Sequence, residues 1–343
     1  MVAIWFAIVS VMIAVYVALD GFDLGAGALH RILARTEEER RILFAATGPL
    51  WDGNEVWLIA GGGALFCAFP AAYAAGFSGF YMPLMFVLWL LVLRGLSMEL
   101  RNHHTALLWR SFWDSVLVLS CVLVVIVLGT AVGNVIRGVP LGADGTFCLP
   151  LFSSSEPAVL DRYTVSTGVL ALLLLAQHGA RFVAWKVDGT LQTRARLLAR
   201  LLLYAAVPVL LGVSYATWRL RPDGVHALAS RSWAWPLVAA VPMCLAAVLA
   251  LGRKRRDLGA FLASGGLIVA LLAATAAAIF PVLLHSTVSS SYDLDAYGAA
   301  ASDHGLRVAF AWWCVGMPLV AVYFTVLFRT VRGKIAAPDD AHA

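Results

Sequence analysis

Long apolar runs separated by short polar stretches dominate the chain. Nine of them approach the roughly 20 residues that an α-helix needs to cross a bilayer. Their approximate limits are 3–25, 50–70, 73–98, 113–136, 164–184, 200–218, 232–252, 258–282 and 306–328. The second and third runs are the least clearly divided, because only Pro70 and its neighbours separate them. The pattern predicts an all-α, polytopic membrane protein with about nine transmembrane helices.

The composition agrees with a membrane protein. Of 343 residues, 61% are hydrophobic and only 13% are charged, whereas about a quarter is charged in a soluble domain. We therefore interpret 1–343 as a single integral membrane unit that retains its first span. The net charge of +5 does not indicate nucleic-acid binding, because the basic residues lie in short clusters between apolar runs.

Those basic clusters predict the topology. Of the 25 Lys and Arg residues, 19 fall on one side of a nine-span arrangement, and the positive side of a membrane protein is normally cytoplasmic. The N-terminus is then outside and the C-terminus cytoplasmic. Loop lengths suggest a first four-helix bundle at 1–136, a second at 137–282, and a last helix with its cytoplasmic tail at 283–343.

The stretch 47–58, read as TGPLWDGNEVWL, opens the second run with unusual polarity. Five of its side chains are candidates for a site or an interface: Trp51, Asp52, Asn54, Glu55 and Trp57. A charge near lipid costs about 3 kcal/mol at a helix centre, so charges kept there usually face protein or water and are functional. Asp52 and Glu55 are three residues apart and share one helix face. A helix start, with Asp52 near the N-cap and two interfacial tryptophans, is the alternative interpretation.

A second acidic motif, ALDGFDLGAG at 18–27, ends the first run. Asp20 and Asp23 lie on one helix face, and Gly21 and Gly25 form a G-x-x-x-G pattern that lets another helix approach closely. In the predicted topology these carboxylates share the cytoplasmic face with those of the second run. Four carboxylates at one depth suit uptake of protons or other cations, and helix packing beside a solvated terminus is the alternative.

Three further polar positions carry structural expectations. Arg94, near the end of the third run, is expected to extend to the cytoplasmic surface, and burial inside the protein is the alternative. Asp114 is expected to cap the fourth run. Thr36 followed by Glu39 fits a capping box that opens a short surface helix.

The sequence shows no pattern typical of metal or haem ligands. The five cysteines include no C-x-x-C pair, and no His and Asp spacing matches a known zinc site. A membrane haem needs axial ligands that face it from helices. The eight histidines fall in loops or at the ends of predicted spans: His30, His103, His104, His178, His226, His285, His304 and His342. We predict no metal site and no haem ligand in this chain.

The motifs DGFDLGAG, WDGNEVWL and GGGALFCAFPAAYAAGFSGFY resemble those of subunit II of the cytochrome bd quinol oxidases. The resemblance is densest over 20–81 and continues more loosely through QHGAR, FPVLLHS and FRTVRGK. Three motifs in the same order and at similar separations make it specific. It implies two four-helix bundles plus one peripheral helix, which agrees with nine runs.

The resemblance also implies a function. Members pair with a larger subunit I in the bacterial cytoplasmic membrane, often with very small single-span subunits. Subunit I carries the b-type and d-type haems, and the complex oxidises quinol and reduces dioxygen to water. Subunit II supports assembly and contributes to a cytoplasmic proton path. The aspartate of WDGN, here Asp52, is most tied to that path, and Asp20 and Asp23 are further contributors. Some members hold a quinone in subunit II, and no residue here locates one.

A secondary transporter that uses a cytoplasmic-side carboxylate cluster is the alternative function. Transporters often show inverted repeats and sites near the membrane midplane at broken helices. In this sequence the carboxylates gather toward one face and the number of spans is odd. Both features favour the oxidase subunit.

Overall fold

The computed structural model describes residues 1–147, 150 and 158–335. Over these residues the chain is almost entirely helical. The α-helices are α1 Val2–Ala28, α2 His30–Leu33, α3 Glu37–Thr47, α4 Trp51–Ala68, α5 Pro70–Gly79, α6 Tyr81–Leu100, α7 Leu107–Arg137, α8 Arg162–Lys186, α9 Gly189–Leu220, α10 Pro222–Ser230, α11 Trp235–Arg253, α12 Asp257–Ile279 and α13 Asp303–Thr330. The fold class is therefore all-α, as the apolar runs predict.

Eight of these helices are long and apolar enough to span a membrane, namely α1, α6, α7, α8, α9, α11, α12 and α13. The predicted second span corresponds to α4, an 18-residue helix that packs along α1. It is not one of the eight. We attribute this to its polar first turn and to the glycines at 61–63, which together reduce its apolar character.

The start predicted for the third span is wrong. The chain breaks at Phe69, where Pro70 begins α5, and it breaks again at Phe80 before α6 begins at Tyr81. Proline lacks an N–H and starts a helix far more readily than it continues one. The Phe80 ring packs against the Phe147 ring, with their centroids 5.1 Å apart. This contact holds the end of α5 against the loop that follows α7.

Helix α1 is the centre of the packing, because it contacts α4, α7, α8 and α12. Its closest approach is to α8, where a Cβ added to Gly25 would overlap the carbonyl of Leu175, and one added to Gly179 would overlap the backbone of α1. Helices α7, α8 and α9 pack in sequence, and α11 packs along α12. Helix α13 lies on the outside, with Leu306 as its buried residue.

Short elements close the two ends of the helices. At the end predicted to be outside, strands Val282–Leu284 and Leu294–Asp295 pair antiparallel, and Val139 bonds to His285. At the other end, α3 begins with the predicted capping box, because the Thr36 hydroxyl accepts from the Glu39 N–H and Glu39 bonds back to the Thr36 N–H. The capping box is confirmed.

Candidate functional site

A buried ion pair joins α1 to α6. Asp20 is fully buried and Arg94 is 1% exposed, and Arg94 Nη1 lies 2.7 Å from Asp20 Oδ1. The expectation that Arg94 extends to the surface is wrong. Because α6 packs with its arginine toward the acidic end of α1, the guanidinium gains a carboxylate partner in place of water. The spacing of residues within α6 does not indicate this ion pair, because the partner carboxylate lies on α1.

Asp23, one turn beyond Asp20, is bound by α4. Asn54 Nδ2 donates to Asp23 Oδ2 at 2.7 Å and also approaches the Leu19 carbonyl at 3.4 Å. Both residues are buried, and Asp23 Oδ1 and Asn54 Oδ1 have no hydrogen-bond partner among the described residues. The polar motifs of the first two runs therefore meet directly.

A small cavity adjoins Asp23. Its volume is about 20 Å³, and its lining includes Asp23, His30, Thr47 and Arg94. A water molecule needs at least about 10–15 Å³ and two or more polar partners. The cavity has both the room and the polar groups for about one water beside the unpartnered Asp23 oxygen.

Glu55 and Asp52 continue the row of carboxylates toward the surface. Glu55 is half-buried and interacts electrostatically with Arg94, Asp20 and Asp52. Asp52 is exposed in the first turn of α4, and its carboxylate forms no hydrogen bond or ion pair with the described residues. From surface to interior the order is Asp52, Glu55, Asp20 and Asp23, with Arg94 interacting with the last three.

The helix-start interpretation agrees with the structure in placing a helix start here with Asp52 near its N-cap. Leu50 is the N-cap of α4, and Asp52 lies in the first turn without a capping hydrogen bond. Its charge still suits the positive end of the helix dipole. Trp51 lies 5.8 Å from the Arg94 guanidinium, and Trp57 is buried against Phe324 of α13. Both tryptophans contact protein.

The two glycines of the first motif lie where α1 meets α8. A Cβ at Gly21 would lie 2.8 Å from the Leu175 side chain, and Gly25 faces the backbone of the same residue. Close helix approach is what a G-x-x-x-G pattern permits. The glycines therefore bring the Asp20 and Asp23 segment tightly against α8.

Sequence reasoning missed a second buried cluster around Asp114. This residue is fully buried within α7 instead of capping it. Arg101 Nε donates to it at 2.6 Å, His30 Nε2 lies 3.2 Å away, and Arg40 Nη1 lies 3.3 Å away. Helix α7 begins seven residues earlier than Asp114, at Leu107, and that longer start carries the carboxylate into the protein. The polar residues at 101–105 and 110–111, on either side of the first residues of α7, concealed this start.

The buried imidazoles do not suit haem ligation. His178 uses both ring nitrogens, at 2.5 Å from Ser264 Oγ and 3.0 Å from the Ala18 carbonyl, and His30 is bound to Asp114. Within the described ranges no group of three or more His, Cys, Asp or Glu side chains is arranged to hold a metal ion. His342 lies outside the described residues.

The fold and these charges define a multi-span helical membrane protein that keeps carboxylates and an arginine buried between helices. The family model described as "Cytochrome bd terminal oxidase subunit II" matches residues 1–331. The chain is 32% identical to "Cytochrome bd ubiquinol oxidase subunit 2" of Bacillus subtilis over 309 residues, which cover 89% of this chain and 88% of the relative. It is 29% identical to "Cytochrome bd-I ubiquinol oxidase subunit 2" of Escherichia coli, over 98% of this chain and 95% of the relative.

A solved structure agrees on the fold. A chain of the bd oxidase from Geobacillus thermodenitrificans superposes with a TM-score of 0.77, covering 96% of this chain and 98% of that one at 18% identity. The protein belongs to the cytochrome bd terminal oxidase subunit II family. It is part of a quinol oxidase complex of bacterial respiratory electron transport, in which the family implies a haem-bearing partner subunit I.

Proposed function

We propose that this chain provides part of the cytoplasmic proton path of the oxidase, with Asp52 as its outermost carboxylate. The single observation that carries the proposal is the row from exposed Asp52 through half-buried Glu55 to the buried Asp20 and Asp23. Carboxylates within a membrane protein are costly and normally mark a proton or ion route. Reduction of dioxygen to water consumes protons, so a haem-bearing partner needs such a route.

In this proposal each residue has a distinct role. Asp52 exchanges protons with water or with the partner subunit at the exposed face of α4. Glu55 connects it to the interior, where Arg94 is the ion-pair partner of Asp20. Asn54 orients Asp23, which keeps one oxygen unpartnered and lines the cavity that has room for a water. Trp51 and Trp57 hold the start of α4 in place by packing.

The redox chemistry belongs, in the same proposal, to the partner subunit. Subunit I supplies the b-type and d-type haems and oxidises quinol, and this chain supports its assembly through the apolar faces of its helices. No direct haem contact is assigned here, because the buried imidazoles already have other partners. The N-terminus lies outside and the C-terminus in the cytoplasm, as the basic residues predict.

The test is Asp52→Asn in the assembled complex, with quinol-driven oxygen consumption as the readout. We expect turnover to fall about tenfold or more, since losing a positioned proton-transfer group typically costs at least that much. Assembly should remain intact, because Asp52 makes no contact within the described chain that the amide would lose. Co-purified subunit I and its haem content measure assembly.

Glu38→Gln is the matched control, because Glu38 is an exposed carboxylate on the surface helix α3. It should turn over like the wild type. Unchanged turnover in Asp52→Asn would remove Asp52 from the path, and loss of the whole complex would indicate a structural role. Membership of the oxidase subunit family does not favour the transporter alternative.

A further inference from the structure

The cytoplasmic ends of α8, α9, α11 and α12 carry a group of cations that the proton path does not use. We call this group the basic site: Arg181 on α8, Arg200 on α9, and the loop Arg253–Arg256 between α11 and α12. The neighbouring carboxylate of Asp257 is already bound. Arg196 donates to it through Nε at 2.9 Å and through Nη2 at 2.5 Å. The basic site therefore holds more positive charge than this carboxylate balances.

Arg181 is the unusual member of the basic site. It is 3% exposed, yet it forms no hydrogen bond or ion pair with any residue in the described ranges, and its Nε is buried without a partner. Its guanidinium lies against Gly252, where an added Cβ would come within 2.6 Å of Nη1. A buried cation without a partner is strongly unfavourable. The arrangement suits a binding residue for an anion that the described residues do not supply.

Like charges accumulate around Arg181. Asp257 attracts it electrostatically and Arg200 repels it, and the four residues of the Arg253–Arg256 loop are all exposed. Arg255 has a φ of 54°, in the left-handed region where glycine is favoured. An arginine at this position adopts an unfavourable backbone conformation and adds another positive charge. An anion placed between these groups would relieve the repulsion.

The surroundings indicate which anion. Exposed leucines lie on α9 and α12 within two turns of the basic site: Leu197 and Leu201 on α9, and Leu258 and Leu262 on α12. These helices span the membrane, so the leucines are placed where acyl chains run and the cations where headgroups lie. Basic pockets between transmembrane helices on the cytoplasmic side bind anionic lipid headgroups. Free phosphate would gain nothing from the leucines.

We propose that the basic site binds the phosphate group of an anionic phospholipid between Arg181, Arg200 and the Arg253–Arg256 loop. The bound lipid thereby holds the ends of α8 and α9 and the α11–α12 loop together. Arg181 supplies the buried half of the contact and the loop supplies the exposed half. This site is separate from the carboxylate row, so it stands whether or not Asp52 carries protons.

The test uses the purified, delipidated complex titrated with dioleoylphosphatidylglycerol and, separately, with dioleoylphosphatidylcholine, with bound lipid counted by native mass spectrometry. Wild type should retain phosphatidylglycerol in preference to phosphatidylcholine. The variant with both Arg181→Gln and Arg200→Gln should bind phosphatidylglycerol at least about tenfold more weakly, a loss that fits two charged hydrogen-bonding contacts. Arg200→Gln alone changes an exposed side chain and should give an intermediate loss.

Arg35→Gln is the control, because Arg35 is an exposed cation on the same side but outside the basic site. It should bind phosphatidylglycerol like the wild type. Equal retention by wild type and the double variant would overturn the proposal. Inorganic phosphate that binds with similar strength while phosphatidylglycerol does not would overturn the lipid assignment. Loss of subunit I from the variant, with lipid binding unchanged, would assign Arg181 to a protein contact and also overturn it.

Discussion

Breaking the Asp20–Arg94 pair should destabilise the protein strongly, and restoring neutrality should recover much of the loss. Both side chains are at most 1% exposed and their charged atoms lie 2.7 Å apart. Removing one partner of a buried pair typically costs about 3–5 kcal/mol, because the remaining charge is left without compensation. For Asp20→Asn we expect about 3 kcal/mol, the lower end, since Asp23 and Glu55 still interact with Arg94.

Arg94→Gln should cost more than Asp20→Asn. It leaves Asp20 and Asp23 without the cation that both interact with, so we expect the upper end, about 5 kcal/mol. The double variant removes both charges and should be clearly more stable than the sum of the single losses predicts. A coupling of about 2 kcal/mol is within the range found for residues in direct contact.

The assay is denaturant unfolding of the purified complex in detergent, followed for the wild type, both single variants and the double variant. The exposed pair Arg307–Asp303 on α13 provides the control, with side chains 70% and 63% exposed. Its disruption should cost less than about 0.5 kcal/mol, as exposed helix pairs do. Additive losses for Asp20→Asn and Arg94→Gln would refute the reasoning, because they would show that the two charges do not depend on each other.

Three further predictions follow from other contacts. Gly25→Ala should disrupt packing of α1 on α8 and reduce assembly of the complex on size-exclusion chromatography, whereas Gly62→Ala, with open space around it, should assemble normally. Asp114→Asn should lower the free energy of unfolding by about 3 kcal/mol, since Arg101 and His30 lose their shared carboxylate; wild-type stability would contradict this. Burial alone would raise the pKa of Glu39, but hydrogen bonds from the Arg35 N–H and Arg194 hold that pKa below its usual value of 4.5. A carboxyl group with a lowered pKa in the folded state contributes stability that is present above pH 4.5 and is lost as the pH falls through the folded-state pKa. Glu39→Gln should therefore flatten the acid side of a plot of melting temperature against pH. An unchanged acid side of that plot would contradict this prediction.

The spanning helices could be predicted from the sequence because their apolar runs are long and their basic loops alternate. The breaks before and after α5 were harder to predict, since the aromatic and small residues at 70–81 are as apolar as the spans around them. The physical signal was local, namely Pro70 and the glycine before Phe80. Periodicity averaged over a window of 20 residues does not resolve it.

The carboxylates of the candidate site could be predicted from the sequence, but their buried arginine partner could not. Asp20, Asp23, Asp52 and Glu55 stand out because carboxylates are rare and costly in apolar segments. Arg94 does not, because an arginine near the end of a span normally extends to water. Its burial depends on α6 packing beside α1, a contact between residues more than seventy positions apart. Sequence distance hides such pairs, and only the folded arrangement shows which charge has a partner.

The proposed proton path requires Asp52 to take up protons from the cytoplasmic side during oxygen reduction. The most direct measurement uses proteoliposomes that hold the complex in one orientation, with a pH-sensitive dye on the side that faces the α3 surface, after a pulse of dioxygen to the quinol-reduced enzyme. We expect rapid alkalinisation on this side with the wild type and with Glu38→Gln. With Asp52→Asn the rate of alkalinisation should fall about tenfold or more. Alkalinisation at the wild-type rate in Asp52→Asn, with haem content intact, would contradict it.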